Sequence, residues 1–174
     1  MKIAVSDLKE RLTVPISSIT AYDYPSARIA DEAGIQLLLV GDSLGMVVAG
    51  NPDTTTVTLD QMAYHTAMVS RGAKRAIIVS DLPIHTYRTP EETVASARVL
   101  IEAGAHAVKL EGGLGQIEKV EALTAAGIPM MAHIGMLPQR VLEEGGYKKK
   151  GKTGDQAARL IESAQALEKA GAFA

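Results

Sequence analysis

The amino-acid sequence predicts an α/β protein of the (β/α)8 barrel type, a TIM barrel, of which the chain supplies about five units and the start of strand six. Short continuous apolar runs alternate with helical patterns, and successive runs end in polar residues. Continuous apolar runs are typical of parallel strands that are buried on both faces. An open sheet concentrates its polar groups at one switch point, so polar ends on successive strands favour a closed barrel.

The predicted elements follow one another in strand–helix order after a leader helix near residues 6–12. Strands are expected near residues 16–22, 35–41, 75–80, 106–110 and 129–134. Helices are expected near residues 25–33, 58–71, 90–103, 115–126 and 154–170. Strict alternation of this kind predicts a parallel sheet with the helices packed on its outer face.

Glycines and threonines mark the ends of the predicted helices. A glycine just past a helix end takes the left-handed conformation that residues with a Cβ resist, and then releases the chain into the next strand. The sequence repeats this signal at Gly34, Gly104, Gly127 and Gly171, with Gly72 as a looser copy. Helix starts are indicated by three threonines that fit the N-cap or capping-box pattern, Thr58, Thr89 and Thr153.

The number of predicted units is lower than a closed barrel requires. A barrel needs eight units in about 250 residues, whereas 174 residues supply about five, and 171–174 would open a sixth strand. We therefore expect a leader helix over residues 1–14 and, over residues 15–174, the N-terminal part of a single truncated barrel domain. Because open strand edges favour association, we also expect these edges to be covered by further strands or by another chain.

Composition excludes several classes of protein. A formal net charge of −2 and an aromatic content of 3% provide neither a basic patch nor stacking platforms for nucleic acid. The absence of cysteine excludes disulfides and thiolate ligands. No signal-peptide pattern and no apolar run long enough to cross a membrane occur in the sequence. We expect a cytoplasmic protein without nucleic-acid or membrane partners.

Three acidic residues occupy equivalent positions at the ends of successive apolar runs, namely Asp42, Asp81 and Glu111. Parallel strands of a barrel end at the same rim, so the three side chains are expected to converge. Carboxylates so close together repel one another unless protons or a cation neutralise them, and oxygen ligands suit a hard ion such as Mg²⁺. Each acid alone could instead be a helix N-cap or part of a rim salt bridge. Three equivalent positions favour a metal site.

Two basic residues are candidates for substrate contacts at the same rim. Lys109 precedes Glu111 by two positions, so both side chains point to one face of the strand, where a lysine has few structural roles. Lys109 could bind a carboxylate or stabilise an enolate. His133 ends the last predicted strand and is either a hydrogen-bond donor to substrate or a histidine satisfied within the core.

Two short motifs suggest other chemistry but lack the required context. Residues 41–45, Gly-Asp-Ser-Leu-Gly, match the nucleophile elbow of serine hydrolases, yet no helix is predicted to follow Ser43 before Thr58. Residues 146–153 match the phosphate-binding P-loop pattern and precede a helix, but no strand leads directly into them. We interpret the second motif as a basic lid without bound nucleotide.

Several segments together resemble the ketopantoate hydroxymethyltransferase family. They are residues 20–25 (TAYDYP), 40–47 (VGDSLGMV), 80–83 (SDLP), 108–113 (VKLEGG), 132–135 (AHIG), 145–147 (GGY) and 151–152 (GK). The resemblance covers about residues 15–174. It implies a (β/α)8 barrel that transfers a hydroxymethyl group from 5,10-methylenetetrahydrofolate to 3-methyl-2-oxobutanoate, which gives ketopantoate for the synthesis of pantothenate and coenzyme A.

The resemblance also implies roles for individual residues. One Mg²⁺ per subunit would be held by Asp42, Asp81 and Glu111. The 2-oxo acid would be contacted by Asp42, Ser43, Asp81, Lys109 and His133. The catalytic base of the family is a glutamate at the end of strand six, which places it after Ala174, so no base is assigned within the chain. A homo-oligomer, often a decamer, is implied. The alternatives are another Mg²⁺-dependent lyase or mutase of 2-oxo acids on a related barrel and a half-barrel fragment without activity.

Overall fold

The computed structural model describes residues 4–10 and 15–174 of the protein. It contains a five-stranded, fully parallel sheet in which strand order follows chain order. The strands are β1 Ser18–Thr20, β2 Leu37–Val40, β3 Ile77–Asp81, β4 Ala107–Glu111 and β5 Met130–His133. Sequential parallel neighbours connected through helices are the arrangement of a (β/α) barrel wall, so the predicted fold class is confirmed.

The helices between the strands cover the outer face of the sheet, whereas the first helix, α1 Val5–Glu10, precedes β1 and packs on the inner face. The other helices are α2 Tyr24–Glu32, α3 Leu44–Val47, α4 Leu59–Gly72, α5 Pro90–Glu102, α6 Ile117–Ala125 and α7 Gly154–Ala170. Two 3-10 turns, Leu114–Gln116 and Pro138–Arg140, lie beside the carboxyl ends of β4 and β5. Residues 11 and 12 of the predicted leader helix lie outside the described residues. Within those residues, no helix combines the length and apolar character needed to cross a membrane.

Alternate side chains of each strand belong to two different cores. The larger core lies between the sheet and the helices and includes Leu38, Ile78 and Val108. A smaller core on the inner face contains Leu8 of α1 with four strand residues, Leu37, Ile77, Val79 and Ala107. Because side chains alternate along a strand, continuing the inner face toward the carboxyl ends of the strands leads to the polar residues described below.

The predicted helix boundaries are largely confirmed. The four glycines that follow helices all have positive φ, at Gly34, Gly104, Gly127 and Gly171. Thr58 forms a complete capping box with Gln61, whereas Thr89 and Thr153 each cap only a backbone amide of the first turn.

The prediction that Gly72 ends a helix in the same way as these four glycines is wrong. Gly72 is the last residue of α4, and its φ is not positive. A Cβ at Gly72 would lie 2.6 Å from the carbonyl oxygen of Tyr24. The glycine therefore permits close packing of α4 against α2 and does not reverse the chain.

Beyond α7 the chain returns beside β5, where the sixth strand is predicted to begin. The amide of Phe173 donates to the carbonyl oxygen of Met130 at 3.0 Å, and the amide of Ala132 donates to that of Ala174 at 2.8 Å. These two bonds hold the chain end against β5, although residues 172–174 are not assigned to a strand. The start of strand six stays a prediction.

Candidate active site

The carboxyl ends of β3, β4 and β5 bring four of the predicted residues to one place. Asp81, Glu111 and His133 are the last residues of their strands, and Lys109 lies two positions before Glu111. All four continue the inner face of the sheet, because side chains alternate along each strand. The prediction that Lys109 and Glu111 share a face is confirmed.

Strand register pairs these residues across neighbouring strands. Asp81 is in register with Lys109, and Glu111 is in register with His133. Accordingly, Nζ of Lys109 lies 2.9 Å from Oδ1 of Asp81, and Nδ1 of His133 lies 3.0 Å from Oε1 of Glu111. The parallel sheet alone therefore accounts for both contacts.

Asp42 reaches the same place from a different element. It follows β2 by two residues, and its backbone amide donates to Oδ2 of Asp81 at 3.2 Å. A Cβ at Gly41 would lie 2.7 Å from Oγ of Ser43, so that hydroxyl would have to move. Asp42, Asp81 and Glu111 thus lie at, or just beyond, the carboxyl ends of three adjacent strands at the same rim, as the sequence predicts.

Burial of these acids leaves negative charge in excess. Asp42, Asp81 and Glu111 are 3%, 4% and 2% exposed, and Lys109 is the one lysine among the buried polar residues described. Burial and the nearby charge of Asp81 raise the pKa of Asp42 to about 7. Burial also raises the pKa of Asp81, although Lys109 opposes this change. Burial lowers the pKa of Lys109 less than the surrounding carboxylates raise it.

The predicted residues surround a single cavity of about 670 Å³. Its lining contains all six of them: Asp42, Ser43, Asp81, Lys109, Glu111 and His133. Methionines form much of the apolar wall, Met46, Met131 and Met136. A mainly apolar cavity with a few convergent polar groups is the usual form of a small-molecule site.

Ser43 is not in the conformation of a hydrolase nucleophile. The expectation that no helix follows Ser43 before Thr58 is wrong, because α3 begins at Leu44. Ser43 is the N-cap of α3, but its side chain forms no capping hydrogen bond. The short helix is instead stabilised by the burial of Leu44. Ser43 has ordinary helical angles, φ −53° and ψ −14°, whereas an elbow serine is strained. Its Oγ lies 2.9 Å from the hydroxyl of Tyr22.

The segment with the P-loop pattern lies beside the cavity. β5 ends at His133, so no strand leads directly into residues 146–153, as predicted. Tyr147 lines the cavity, and its hydroxyl lies 3.7 Å from Sδ of Met46. Nζ of Lys150 lies 2.6 Å from Oε2 of Glu144. This arrangement agrees with a lid, while the absence of bound nucleotide stays a prediction.

Sequence inspection did not identify Gln139, which is 2% exposed. Its Nε2 donates to Oδ2 of Asp42 at 2.7 Å and to the carbonyl oxygen of Leu82 at 2.9 Å. Its backbone amide donates to Oε2 of Glu111 at 3.1 Å, and Oε1 accepts a hydrogen bond from Tyr87. The residue follows Pro138 in a polar loop, and no periodic pattern distinguishes it from a surface glutamine.

The donor set at the rim fits a hard cation in its chemistry, but the side chains do not form a three-residue ligand set. Within residues 4–10 and 15–174, no group of three or more histidine, aspartate or glutamate side chains is arranged to hold one metal ion. Both oxygens of Glu111 are engaged, by His133 and by the amide of Gln139. Asp42 and Asp81, with their raised pKa values, carry the uncompensated charge that a cation would neutralise. The inclusion of Glu111 among the ligands stays a prediction.

The fold and the site define a protein of the (β/α)8 barrel class with a carboxylate-rich site at the carboxyl ends of its strands. Within that class, the Ketopantoate hydroxymethyltransferase family model matches residues 2–174. The chain belongs to this family.

Curated relatives agree with this assignment. The chain is 54% identical over 160 residues to 3-methyl-2-oxobutanoate hydroxymethyltransferase of Caldivirga maquilingensis, a match that covers 91% of the chain and 60% of the relative. It is 51% identical over 167 residues to the same enzyme of Aeropyrum pernix, covering 95% of the chain and 61% of the relative. The chain therefore spans about three fifths of the length of these relatives.

Solved structures with the same fold come from more distant proteins. Phosphonopyruvate hydrolase in complex with oxalate and Mg²⁺ matches with a TM-score of 0.73 at 15% identity, over 98% of this chain and 61% of that one. 2,3-Dimethylmalate lyase, a member of the PEP mutase/isocitrate lyase superfamily, matches with a TM-score of 0.64 at 22% identity, over 99% of this chain and 62% of that one. At these identities the likeness shows the fold alone.

Proposed function

We propose that the protein transfers a hydroxymethyl group from 5,10-methylenetetrahydrofolate to 3-methyl-2-oxobutanoate, and that this chain supplies the metal and 2-oxo-acid sites. One observation carries the proposal: all six residues implied by the family resemblance line one cavity at the carboxyl ends of the strands. The 2-oxo acid is small enough to enter a cavity of about 670 Å³.

The charge at the rim supports Mg²⁺ as the resident ion. Asp42 and Asp81 would hold it, with Glu111 either binding directly or acting through a water molecule. Mg²⁺ is commonly bound by one or two carboxylates and keeps several waters, so two direct carboxylates satisfy its preference. When bound, the ion acts as a Lewis acid toward the oxygens of the 2-oxo acid.

The remaining side chains orient the substrate. Lys109 faces the cavity beside Asp81 and would pair with the carboxylate of the 2-oxo acid, because its raised pKa keeps it protonated. Ser43 can donate its hydroxyl hydrogen to the same carboxylate while accepting one from Tyr22. Nδ1 of His133 lies 3.0 Å from Oε1 of Glu111, so Nε2 would be the nitrogen that contacts a substrate oxygen or the new hydroxyl group.

We assign no residue of this chain to the base that removes the proton from C3 of the 2-oxo acid; the family resemblance places a glutamate at the end of strand six. The methionine wall would limit water around the reacting carbon, which favours carbon–carbon bond formation over side reactions. We further propose that the protein is cytoplasmic and that it acts as a homo-oligomer. Sedimentation of the native protein would test the oligomeric state.

The direct test is an assay of the complete polypeptide with both reactants. We expect ketopantoate to form in the presence of Mg²⁺ and formation to stop on chelation. Lys109→Met should lower kcat/KM by about 10²-fold or more through loss of the charge-assisted contact. Lys119→Met is the matched control, because this partly buried lysine on α6 bonds to Gln116 outside the cavity. Absence of ketopantoate formation by a complete, folded and metal-loaded polypeptide would contradict the proposal.

The same assay separates the alternatives. A related lyase or mutase would consume or rearrange the 2-oxo acid without the one-carbon donor. An inactive fragment would require that the 174-residue chain remain inactive while the complete polypeptide is active. Deuterium exchange at C3 of 3-methyl-2-oxobutanoate, followed by NMR without the donor, reports the proton-transfer step alone and locates a failure before or after it.

A further inference from the structure

Gln139 connects residues 135–151, the segment beside the cavity, to two of the site carboxylates. It lies in the 3-10 turn Pro138–Arg140, between β5 and α7. The side-chain amide nitrogen contacts Asp42, and the backbone amide of the same residue contacts Glu111. One residue therefore bonds to acids that lie in two different βα units.

The orientation of the Gln139 amide follows from its partners. The carboxylate of Asp42 and the carbonyl of Leu82 can only accept hydrogen bonds, so both must face the NH₂ group of Gln139. This arrangement uses both amide hydrogens and leaves Oε1 to accept from the hydroxyl of Tyr87. With three side-chain contacts and almost complete burial, the amide has no freedom to reorient without losing a bond.

We propose that Gln139 is a positioning residue that orients the Asp42 and Glu111 carboxylates for the cation and holds the segment 135–151 against the cavity. The inference rests on the proposed function. Because Gln139 binds Oδ2 of Asp42, the other oxygen of that carboxylate is left for the ion. A hydrogen-bonded partner of this kind orients a metal ligand, and its loss typically weakens metal binding about 10- to 100-fold.

The chemistry of the residue explains why glutamine suits this position. A glutamate would bring another buried carboxylate to within hydrogen-bond distance of Asp42. A methionine has a similar length but cannot donate, so it would leave Asp42 and the Leu82 carbonyl without this donor. Only a neutral side chain with a donor and an acceptor at its end satisfies Asp42, Leu82 and Tyr87 together.

The test measures Mn²⁺ binding by calorimetry on the complete polypeptide, with Mn²⁺ alone as the probe. Gln139→Met should raise the Kd about 10- to 100-fold. Gln116→Met is the matched control, because Gln116 is equally a buried glutamine of a 3-10 turn, 5% exposed, whose side chain bonds to Lys119. Its Kd should stay within about twofold of the original value. A Kd for Gln139→Met that matches the control would overturn the proposal.

A second readout does not depend on metal. Amide hydrogen exchange over residues 136–147, measured without metal, should accelerate in Gln139→Met and remain unchanged in Gln116→Met. A native protein that binds no Mn²⁺ would contradict the metal site of the proposed function, and hydrogen exchange would then decide the role of Gln139. If Gln139→Met fails to fold, Tyr87→Phe removes only the hydroxyl that fixes Oε1, and it should change both readouts in the same direction. Unchanged exchange in the folded variant would overturn the proposal.

Discussion

Two aspartates that are almost equally buried behave in opposite ways. Asp31 lies near the end of α2 and is 4% exposed, and Asp42 follows β2 and is 3% exposed. Burial raises the pKa of Asp31, but backbone amides and the charge of Arg75 outweigh it, so the net pKa is lowered. Burial and the charge of Asp81 raise the pKa of Asp42 to about 7.

Part of the difference in pKa comes from the denser surroundings of Asp42, and part comes from the donors around each carboxylate. Asp31 accepts from the amides of Arg75 and Ala76 at 2.9 and 2.7 Å, with the Arg75 guanidinium nearby. Asp42 accepts from Gln139 and faces a second carboxylate. A buried acid surrounded by donors stabilises the fold, whereas a buried acid that faces another acid indicates a place for a cation.

The largest effect should follow from removing the charge of Asp42. Asp42→Asn keeps the shape of the side chain but loses an anionic ligand for the ion. We expect kcat to fall about 10³-fold, which corresponds to about 4 kcal/mol of lost transition-state stabilisation. Steady-state assay of the complete polypeptide with saturating Mg²⁺ checks this result. Activity within tenfold of the original would remove Asp42 from the site chemistry.

Asp31→Ala should instead affect stability. The substitution leaves the buried amide of Ala76, the partly buried amide of Arg75 and the Arg75 guanidinium without their acceptor, which should lower the free energy of unfolding by about 3 kcal/mol. Since the pKa of Asp31 is lowered, its contribution is present above its ordinary pKa and is lost as pH falls. Urea unfolding at pH 7 and at pH 3 measures both effects. Activity per folded molecule should be unchanged, and a loss of activity would break the distinction between the two acids.

The pH dependence of stability sharpens the comparison. A raised pKa means that ionising Asp42 costs stability, and this cost grows from about pH 4 to about pH 7 and then levels off. Without metal, Asp42→Asn should therefore be more stable than the native chain by roughly 4 kcal/mol at pH 8 and nearly equal at pH 4. Thermal unfolding at the two pH values tests this. Equal stability at pH 8 would mean that the charge of Asp42 is already compensated.

The smallest effect on stability and function is expected from a substitution within residues 146–153, the segment that matches the P-loop pattern. Lys152→Ala alters the lysine that this pattern would use for phosphate, but Lys152 is exposed and lies in a lid segment. Stability should change by less than about 0.5 kcal/mol. ATP binding with Mg²⁺ should be undetectable by calorimetry both before and after the substitution. Specific ATP binding that Lys152→Ala abolishes would contradict the lid interpretation.

Features set by local sequence were predictable. Strand ends, helix-ending glycines and the threonine caps depend on neighbouring residues, and a period of two placed Lys109 on the same face as Glu111. The register of parallel strands then brought Asp81 and His133 into contact with them. The acids of the rim could thus be found from positions in the sequence alone.

Features that depend on tertiary packing were not predictable. Helix α3 lacks a capping hydrogen bond from a side chain, and it depends on the burial of Leu44, which the sequence does not reveal. Gln139 reaches Asp42 across 97 positions of the chain, and Gly72 owes its identity to the carbonyl of Tyr24 on another helix. Long-range contacts of this kind leave no periodic signal in the sequence.

The most direct test of the central claim is a calorimetric titration of Mn²⁺ into the complete polypeptide at pH 8. We predict one ion per chain in the native protein, a Kd at least about 30-fold higher in Asp42→Asn, and an unchanged Kd in Asp31→Ala. Each variant removes one buried acid, the first at the rim and the second away from it. Equal Kd values for Asp42→Asn and the native protein would contradict the assignment of the uncompensated acids to a cation site.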